Sequence, residues 1–127
     1  EPQQAIQTII ITNIQEKYWN RNKKKDYLTP YTINIAKEAV LNSANYTEYN
    51  PLNFDYNNFP KMLIRAGSNE LILDEIYALI DKVKKSECIF EYQIVNNMYH
   101  LFDLYYTFSK SKSPDYDKLI HYLKNNL

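Results

Sequence analysis

Apolar and polar residues alternate along most of this sequence with the period of an α-helix. The first stretch is typical, because four apolar residues recur at a spacing of four and therefore share one helix face: Ile6, Ile10, Ile14 and Tyr18. We expect this first helix to run from Gln3 to about Lys24. The cationic run at residues 21–25 suits the negative end of a helix dipole.

Proline and N-cap signals predict the starts of two further helices. Thr29 is followed by Pro30, which combines an N-capping side chain with proline at the first helical position. This predicts a second helix that ends near Ala44. Ser113 and Pro114 repeat the signal and predict a final helix that reaches the end of the sequence.

The middle of the sequence is predicted to hold two helices on either side of the only glycine. A short helix over Lys61–Ala66 would end at Gly67, in the left-handed conformation that glycine adopts easily. Ser68 would cap the next helix, which runs to about Lys85. Acidic residues lie early and basic residues late in that helix, as its dipole prefers.

A longer helix is predicted from Glu87 to Ser109, and it is apolar almost all round. A helix of that kind is central in a bundle or is covered by a partner. The predicted fold is therefore all-α: an irregular bundle of five or six helices around a central apolar helix at about residues 87–109. With 127 residues, the chain suits one helical domain over residues 1–127. Because it begins with Glu1 rather than Met, we expect it to be excised from a longer protein.

The stretch from Asn45 to Pro60 breaks the helical pattern and carries a group of aromatic residues. A long loop in a compact domain is often functional, and Tyr is common in protein interfaces. These observations predict a non-catalytic protein–protein interaction domain of the adaptor or scaffold type. Its partner, another protein, would bind through Tyr46, Tyr49, Phe54, Tyr56 and Phe59. The alternative is that the phenylalanines pack back and close one end of the bundle.

A basic and aromatic cluster near the end of the first helix supports a second hypothesis, a helical nucleic-acid-binding module. Cations neutralise phosphates while aromatic rings stack on bases. The cluster consists of Tyr18, Trp19, Arg21, Lys23, Lys24 and Lys25. The chain has 15 basic and 15 acidic residues and zero net charge, so no overall field favours nucleic acid.

The ionisable residues suggest no catalytic group at the level of sequence. His100 and Cys88 are twelve residues apart on the predicted central helix, about 18 Å, so they form no local dyad. Neither His100 nor His121 has an obvious acidic partner in sequence, although Asp103 is close to His100. The sequence has no Glu-x-x-His pair, which excludes the usual di-metal site of helical bundles. We therefore expect no enzyme activity, no cofactor and no metal.

Composition changes this picture little. Tyr supplies 13 of the 127 residues, but Tyr, Asn, Ile and Lys all have A/T-rich codons, so an A/T-rich genome explains much of this tyrosine-rich character. The single cysteine, Cys88, rules out an intramolecular disulfide and favours a reducing cytosolic or nuclear compartment, with secretion left open. No apolar run approaches the roughly 18 residues that span a bilayer, which predicts a soluble domain. The oligomeric state stays open.

Overall fold

The computed structural model describes residues 17–42, 46–109 and 114–126, with the side chains of residues 41, 46, 47 and 106–109 excepted. The described helices and strands, in chain order, are α1 (Lys17–Asn22), α2 (Pro30–Leu41), α3 (Tyr46–Tyr49), a 3₁₀ turn (Pro51–Asn53), β1 (Met62–Gly67), α4 (Leu73–Lys84), β2 (Phe90–Val95), α5 (Phe102–Ser109) and α6 (Pro114–Asn126).

The two strands form a parallel sheet, so the chain is not an all-α bundle and that prediction is wrong. Met62 pairs with Phe90 at one end of the register, and Gly67 pairs with Val95 at the other. Helix α4 connects β1 to β2, and parallel strands require such a crossover because a short turn cannot join them. The result is a β-α-β unit with α1 and α2 placed before it.

Strand β1 replaces the short helix predicted over Lys61–Ala66. Its sequence, Met-Leu-Ile-Arg-Ala-Gly, is a short apolar run, and periodicity alone cannot distinguish a buried strand from a buried helix over that length. The deciding interaction is the hydrogen-bonded pairing with a strand 28 residues further along the chain, which the local pattern does not reveal.

The central helix predicted over Glu87–Ser109 is also absent, and its two halves form different structures. Phe90–Val95 is β2 and Phe102–Ser109 is α5. Between them, Asn97 and Leu101 have φ angles of 59° and 56°, in the left-handed region that a right-handed helix excludes. The nearly continuous apolar character therefore reflects a paired strand followed by a short helix.

The position and backbone conformation of Gly67 differ from those predicted. It is the last residue of β1 and has no positive φ, so it is not a left-handed helix cap. Instead, a Cβ at this position would meet the backbone of Met98 and Tyr99, with Tyr99 N at 2.8 Å. Glycine is required here because the chain after β2 passes against it.

The observed helix boundaries show which local sequence signals correctly predict where a helix begins or ends. Thr29 caps α2 in a complete capping box with Thr32, as Thr29-Pro30 predicted, although α2 ends at Leu41 rather than near Ala44. Helix α4 has the predicted charge distribution, but Ile72 rather than Ser68 is its N-cap and gives no side-chain cap. The expected start of the first helix and the Ser113 cap lie outside the described residues.

Two hydrophobic clusters hold these elements together. Ile33, Leu71 and Ile72 form one, with Trp19 and Leu28 packed against it, so α1 and α2 are fixed to the start of α4. The second cluster contains buried Tyr56, Val83 and Cys88, with a rim of Phe54, Phe59, Met62, Ile64, Leu79 and Phe90. None of the described helices is long and apolar enough to cross a membrane.

Candidate functional site

A buried carboxylate lies directly after β1. Glu70 is in the turn between β1 and α4, and its side chain is only 2% exposed. Its Oε1 accepts a hydrogen bond of 2.8 Å from Gly67 N. A buried carboxylate is costly unless its oxygens are paired, so the position of the second oxygen decides what this group does.

A histidine in the loop after β2 contacts that second oxygen. His100 Nδ1 is 2.9 Å from Glu70 Oε2, and the histidine side chain is 11% exposed. The carboxyl ends of parallel strands meet at one edge of a sheet, which is where α/β proteins place their ligand sites. The sheet therefore brings together two groups that are 30 residues apart in sequence.

The two loops are joined by backbone hydrogen bonds as well as by this contact between side chains. Ser68 N donates to Val95 O and Asn69 N donates to Met98 O, each at 2.9 Å. Asn97 N donates to Ser68 Oγ at 2.9 Å. Together with the close approach at Gly67, these bonds fix the histidine loop against the acid loop.

The segment before the sheet supplies two further anchors. Asn22 is fully buried, and its Nδ2 donates to Glu70 O at 2.7 Å and to Ser68 O at 3.1 Å. The Asp26 carboxylate accepts from Leu71 N at 2.8 Å and from His100 N at 3.2 Å. Side chains from the region of α1 therefore hold the backbone of both loops.

The arrangement suits an imidazole that moves a proton. A carboxylate beside Nδ1 accepts its N–H, which selects the tautomer whose Nε2 has a free lone pair. Nε2 has no hydrogen-bond partner within the described part of the chain. Among the side chains that the structure describes, no hydroxyl or thiol hydrogen-bonds to His100, so the pair has no nucleophile from these residues.

Two aromatic rings lie near His100. The Tyr27 ring centroid is 6.1 Å from that of His100 and 5.8 Å from that of Tyr99. Burial, followed by the nearby carboxylates of Asp26 and Glu70 and by Tyr99, raises the pKa of the Tyr27 hydroxyl above its ordinary value. The Tyr27 hydroxyl therefore stays neutral near pH 7.

The predicted partner-binding set is only partly at the surface. Tyr56 is buried and its hydroxyl donates to Pro51 O at 2.9 Å, while Phe54 and Phe59 pack beside it. Tyr49 is 62% exposed, and the side chain of Tyr46 lies outside the described residues. This set is separate from the histidine–glutamate pair, and a role for it in partner binding stays a prediction.

The basic and aromatic cluster near α1 is split between the interior and the surface. The Tyr18 ring lies 5.5 Å from that of Tyr77, centroid to centroid, and Trp19 packs against the core cluster of Ile33. Arg21 donates to Ser68 O at 2.7 Å. Lys23, Lys24 and Lys25 are exposed. The aromatic rings that would stack on bases are therefore engaged within the protein.

The other ionisable residues considered in the sequence lie apart from the pair. Asp103 binds Arg65 rather than His100, exposed His121 contacts Asn125, and Cys88 is buried in the second core cluster. Burial raises the pKa of the Cys88 thiol, which disfavours its nucleophilic form. Within residues 17–42, 46–109 and 114–126, no group of three or more His, Cys, Asp or Glu could hold a metal ion.

Comparison with known proteins gives a likeness in structure only. No protein-family model matches the sequence, and no curated protein sequence matches it. Among solved structures, the chain is similar to a hormone-sensitive lipase from a metagenome library. The TM-score is 0.72 and the identity 23%, over 86% of this chain and 39% of the lipase chain. The lipase is an α/β-hydrolase, and at this identity the likeness shows the fold.

This finding overturns the functional predictions made from the sequence. A non-catalytic adaptor domain, a helical nucleic-acid module and a protein without enzyme activity are all wrong, because the chain takes the fold of part of a hydrolase rather than of a helical bundle. The chain spans about two fifths of the length of that lipase, so the activity of the whole protein is a separate question.

The sequence pattern does not reveal Glu70 as a functional residue or give His100 a partner. It predicts helices over both residues, and side chains that meet within a helix are three or four residues apart. A usable signal was present: an apolar run followed by an acid, then a second apolar run followed by a histidine. That signal gains meaning only once both runs are recognised as strands.

Proposed function

We propose that this chain is the acid–base part of a carboxylic ester hydrolase, in which Glu70 and His100 form two members of a Ser-His-Glu triad. The observation that carries the proposal is the 2.9 Å contact between Glu70 Oε2 and His100 Nδ1 in a mostly buried setting. The structural likeness to a lipase supports the choice of substrate class.

The order of the residues along the chain agrees with this assignment. In α/β-hydrolases the nucleophile precedes the acid and the acid precedes the histidine, and here Glu70 precedes His100. The nucleophile of these enzymes sits in a G-x-S-x-G turn, and a sequence with one glycine cannot contain that motif. The proposal therefore places the serine in a part of the protein that comes before this sequence.

In the first half of the reaction, His100 acts as general base. Its Nε2 takes the proton of the serine hydroxyl while the serine oxygen attacks the ester carbonyl carbon. Glu70 stabilises the imidazolium that forms and keeps the ring oriented. The tetrahedral intermediate collapses, the carbon–oxygen bond to the alcohol breaks, and Nε2 returns its proton to the leaving alkoxide.

In the second half, water replaces the serine as the nucleophile. Nε2 removes a proton from water as the water oxygen attacks the acyl-enzyme carbonyl. The acid product leaves and the serine oxygen recovers the proton from His100. The two buried oxygens of Glu70 hold the same hydrogen bonds throughout, so the carboxylate does not itself need to be protonated.

The test is hydrolysis of p-nitrophenyl esters of graded acyl length by the full-length protein. His100→Ala and Glu70→Gln are expected to lower kcat, the latter by on the order of 10⁴-fold if it acts as the acid of other triads does. Labelling by a fluorophosphonate, which reacts with activated serines, should fall in parallel.

Matched controls separate catalysis from folding. His121→Ala removes the exposed histidine, and Glu38→Gln removes an exposed carboxylate on α2. Both should leave kcat within about twofold of wild type. Unchanged kcat in folded His100→Ala, or the absence of both ester hydrolysis and probe labelling in the wild-type protein, would contradict the proposed function.

A further inference from the structure

Asp26 makes an unusual set of contacts for a residue in a surface turn. It lies four residues after the end of α1 and four residues before the start of α2. Both its carboxylate oxygens accept backbone hydrogen bonds. Oδ2 accepts from Leu71 N at 2.8 Å, 45 residues away. Oδ1 accepts from His100 N at 3.2 Å, 74 residues away, and from Leu28 N at 3.4 Å.

These two distant contacts join the two halves of the candidate site. Leu71 is the residue after Glu70, and the other amide is that of His100 itself. Further hydrogen bonds between the two segments run from Ser68 and Asn69 to the last residue of β2 and to the chain just after it. Asp26 lies in a third segment, between α1 and α2. Its side chain connects the backbone of Leu71, next to the acid, to the backbone of the histidine.

We propose that Asp26 is a positioning residue for the Glu70–His100 pair. The inference rests on the proposed function for its effect on catalysis, but its effect on the geometry of the pair stands separately. Its carboxylate sets the separation of the two loops, and with it the alignment of Nδ1 on Glu70 Oε2 and of Nε2 toward the nucleophile.

A carboxylate is required for this role because two oxygens serve two amides. In an asparagine, one oxygen accepts and the other position is an N–H₂ group that can only donate. Asp26→Asn must therefore give up either Leu71 N or His100 N, although its size hardly changes. Asp26→Glu keeps both acceptors but adds a methylene, so both amides can be reached only if a loop moves.

The test compares wild type with Asp26→Asn, Asp26→Glu and Asp55→Asn in the full-length protein. Asp55 is a matched control, because its Oδ1 also accepts a backbone bond two residues ahead, from Asn57 N, in an exposed turn away from the pair. Each variant is measured for thermal unfolding, for kcat and KM on a short-chain p-nitrophenyl ester, and by proton NMR for the low-field resonance of the His100 Nδ1–H. That resonance is assigned by its loss in Glu70→Gln.

Asp26→Asn is expected to lower kcat by on the order of 10- to 100-fold, because a misplacement of about 1 Å can cost 10²-fold. KM should stay within about twofold, and the low-field resonance should shift or broaden. Asp26→Glu should show a smaller loss of kcat in the same direction. Asp55→Asn should match wild type in kcat and in the resonance.

Three outcomes would overturn the positioning role. One is a folded Asp26→Asn with wild-type kcat and an unchanged resonance. Another is a fall in kcat that only tracks the fraction of unfolded protein. If Asp26→Asn does not fold, a folded Asp26→Glu with wild-type kcat and resonance overturns it. Absence of any ester hydrolysis in wild type contradicts the proposed function alone, and the resonance then decides the role of Asp26.

Discussion

Gly67→Ala is the substitution that tests the described geometry most directly. The new methyl group would be 2.8 Å from Tyr99 N and still nearer to the carbonyl of Met98. Ordinary contacts with a Cβ begin at 3.4 Å, so Tyr99 N must retreat from 2.8 Å to at least 3.4 Å, and the Met98 carbonyl must move further. All the opposing atoms are backbone, so no side chain can rotate away.

The displacement of the Met98–Tyr99 backbone should lower both the stability of the protein and its kcat. Overpacking by one methyl group costs about 1–3 kcal/mol, and the rigid backbone here favours the upper part of that range. His100 directly follows the displaced segment, while Glu70 stays bound to Gly67 N. The 2.9 Å contact of the pair should therefore lengthen, and kcat should fall by up to about 10²-fold.

For the Gly67→Ala variant, urea unfolding measures the loss of stability and ester hydrolysis measures the fall in kcat. Ser68→Ala is the control, because it removes the bond from Asn97 N without pushing the loop, and it should cost only about 1 kcal/mol. Wild-type stability together with wild-type kcat in Gly67→Ala would refute the argument, since it would mean that the loop after β2 can relax at no cost.

Three further predictions follow from interior contacts. Asp103→Asn removes the charge of a carboxylate that forms a bidentate pair with Arg65, whose side chain is 5% exposed. The free energy of unfolding in urea titrations should therefore fall by about 3–5 kcal/mol. A loss below 1 kcal/mol would contradict this. Tyr56→Phe should cost about 1 kcal/mol by removing one of the two hydrogen bonds to Pro51 O, which also accepts from Phe54 N at 3.3 Å. Because burial raises the pKa of Tyr56 in the folded state, its contribution is constant at lower pH and is lost as pH rises above about 10, a loss that Tyr56→Phe should lack. Cys88, whose pKa burial also raises, should react with a maleimide at pH 7 much more slowly in the native protein than in urea, and equal rates would disprove its burial.

Features of this fold that depend on neighbouring residues could be predicted from the sequence. The start of α2 follows from Thr29 and Pro30, since a cap and a fixed φ act within one turn. The charge distribution along α4 follows from its own dipole. The packing of Phe54 and Phe59 against buried Tyr56 agrees with the alternative that these phenylalanines pack back, which rests only on their apolar character.

Features that depend on pairing between distant segments could not be predicted in this way. Strand β1 is a strand because β2 lies beside it, and nothing within its six residues distinguishes it from a buried helical turn. The sequence suggests that Gly67, which ends β1, is present for its local conformation. The structure shows instead that glycine is required because Met98, 31 positions away, passes against it. The candidate site is formed by that same pairing of strands. A prediction that makes both strands helical therefore cannot reveal the site.

The physical constraints at the site also explain how a hydrolase fold can be present in a sequence only 23% identical to the lipase that it resembles. Surface positions can accept the many tyrosines and asparagines of this sequence, because exposed substitutions change stability little. Position 67 excludes every side chain by contact with backbone, position 70 must present two buried acceptor oxygens, and position 100 must place an imidazole nitrogen within hydrogen-bond distance of the second of those oxygens. These three requirements are steric, electrostatic and chemical, and codon bias weakens none of them. A composition that obscures the two strands is therefore compatible with the buried contact between His100 and Glu70.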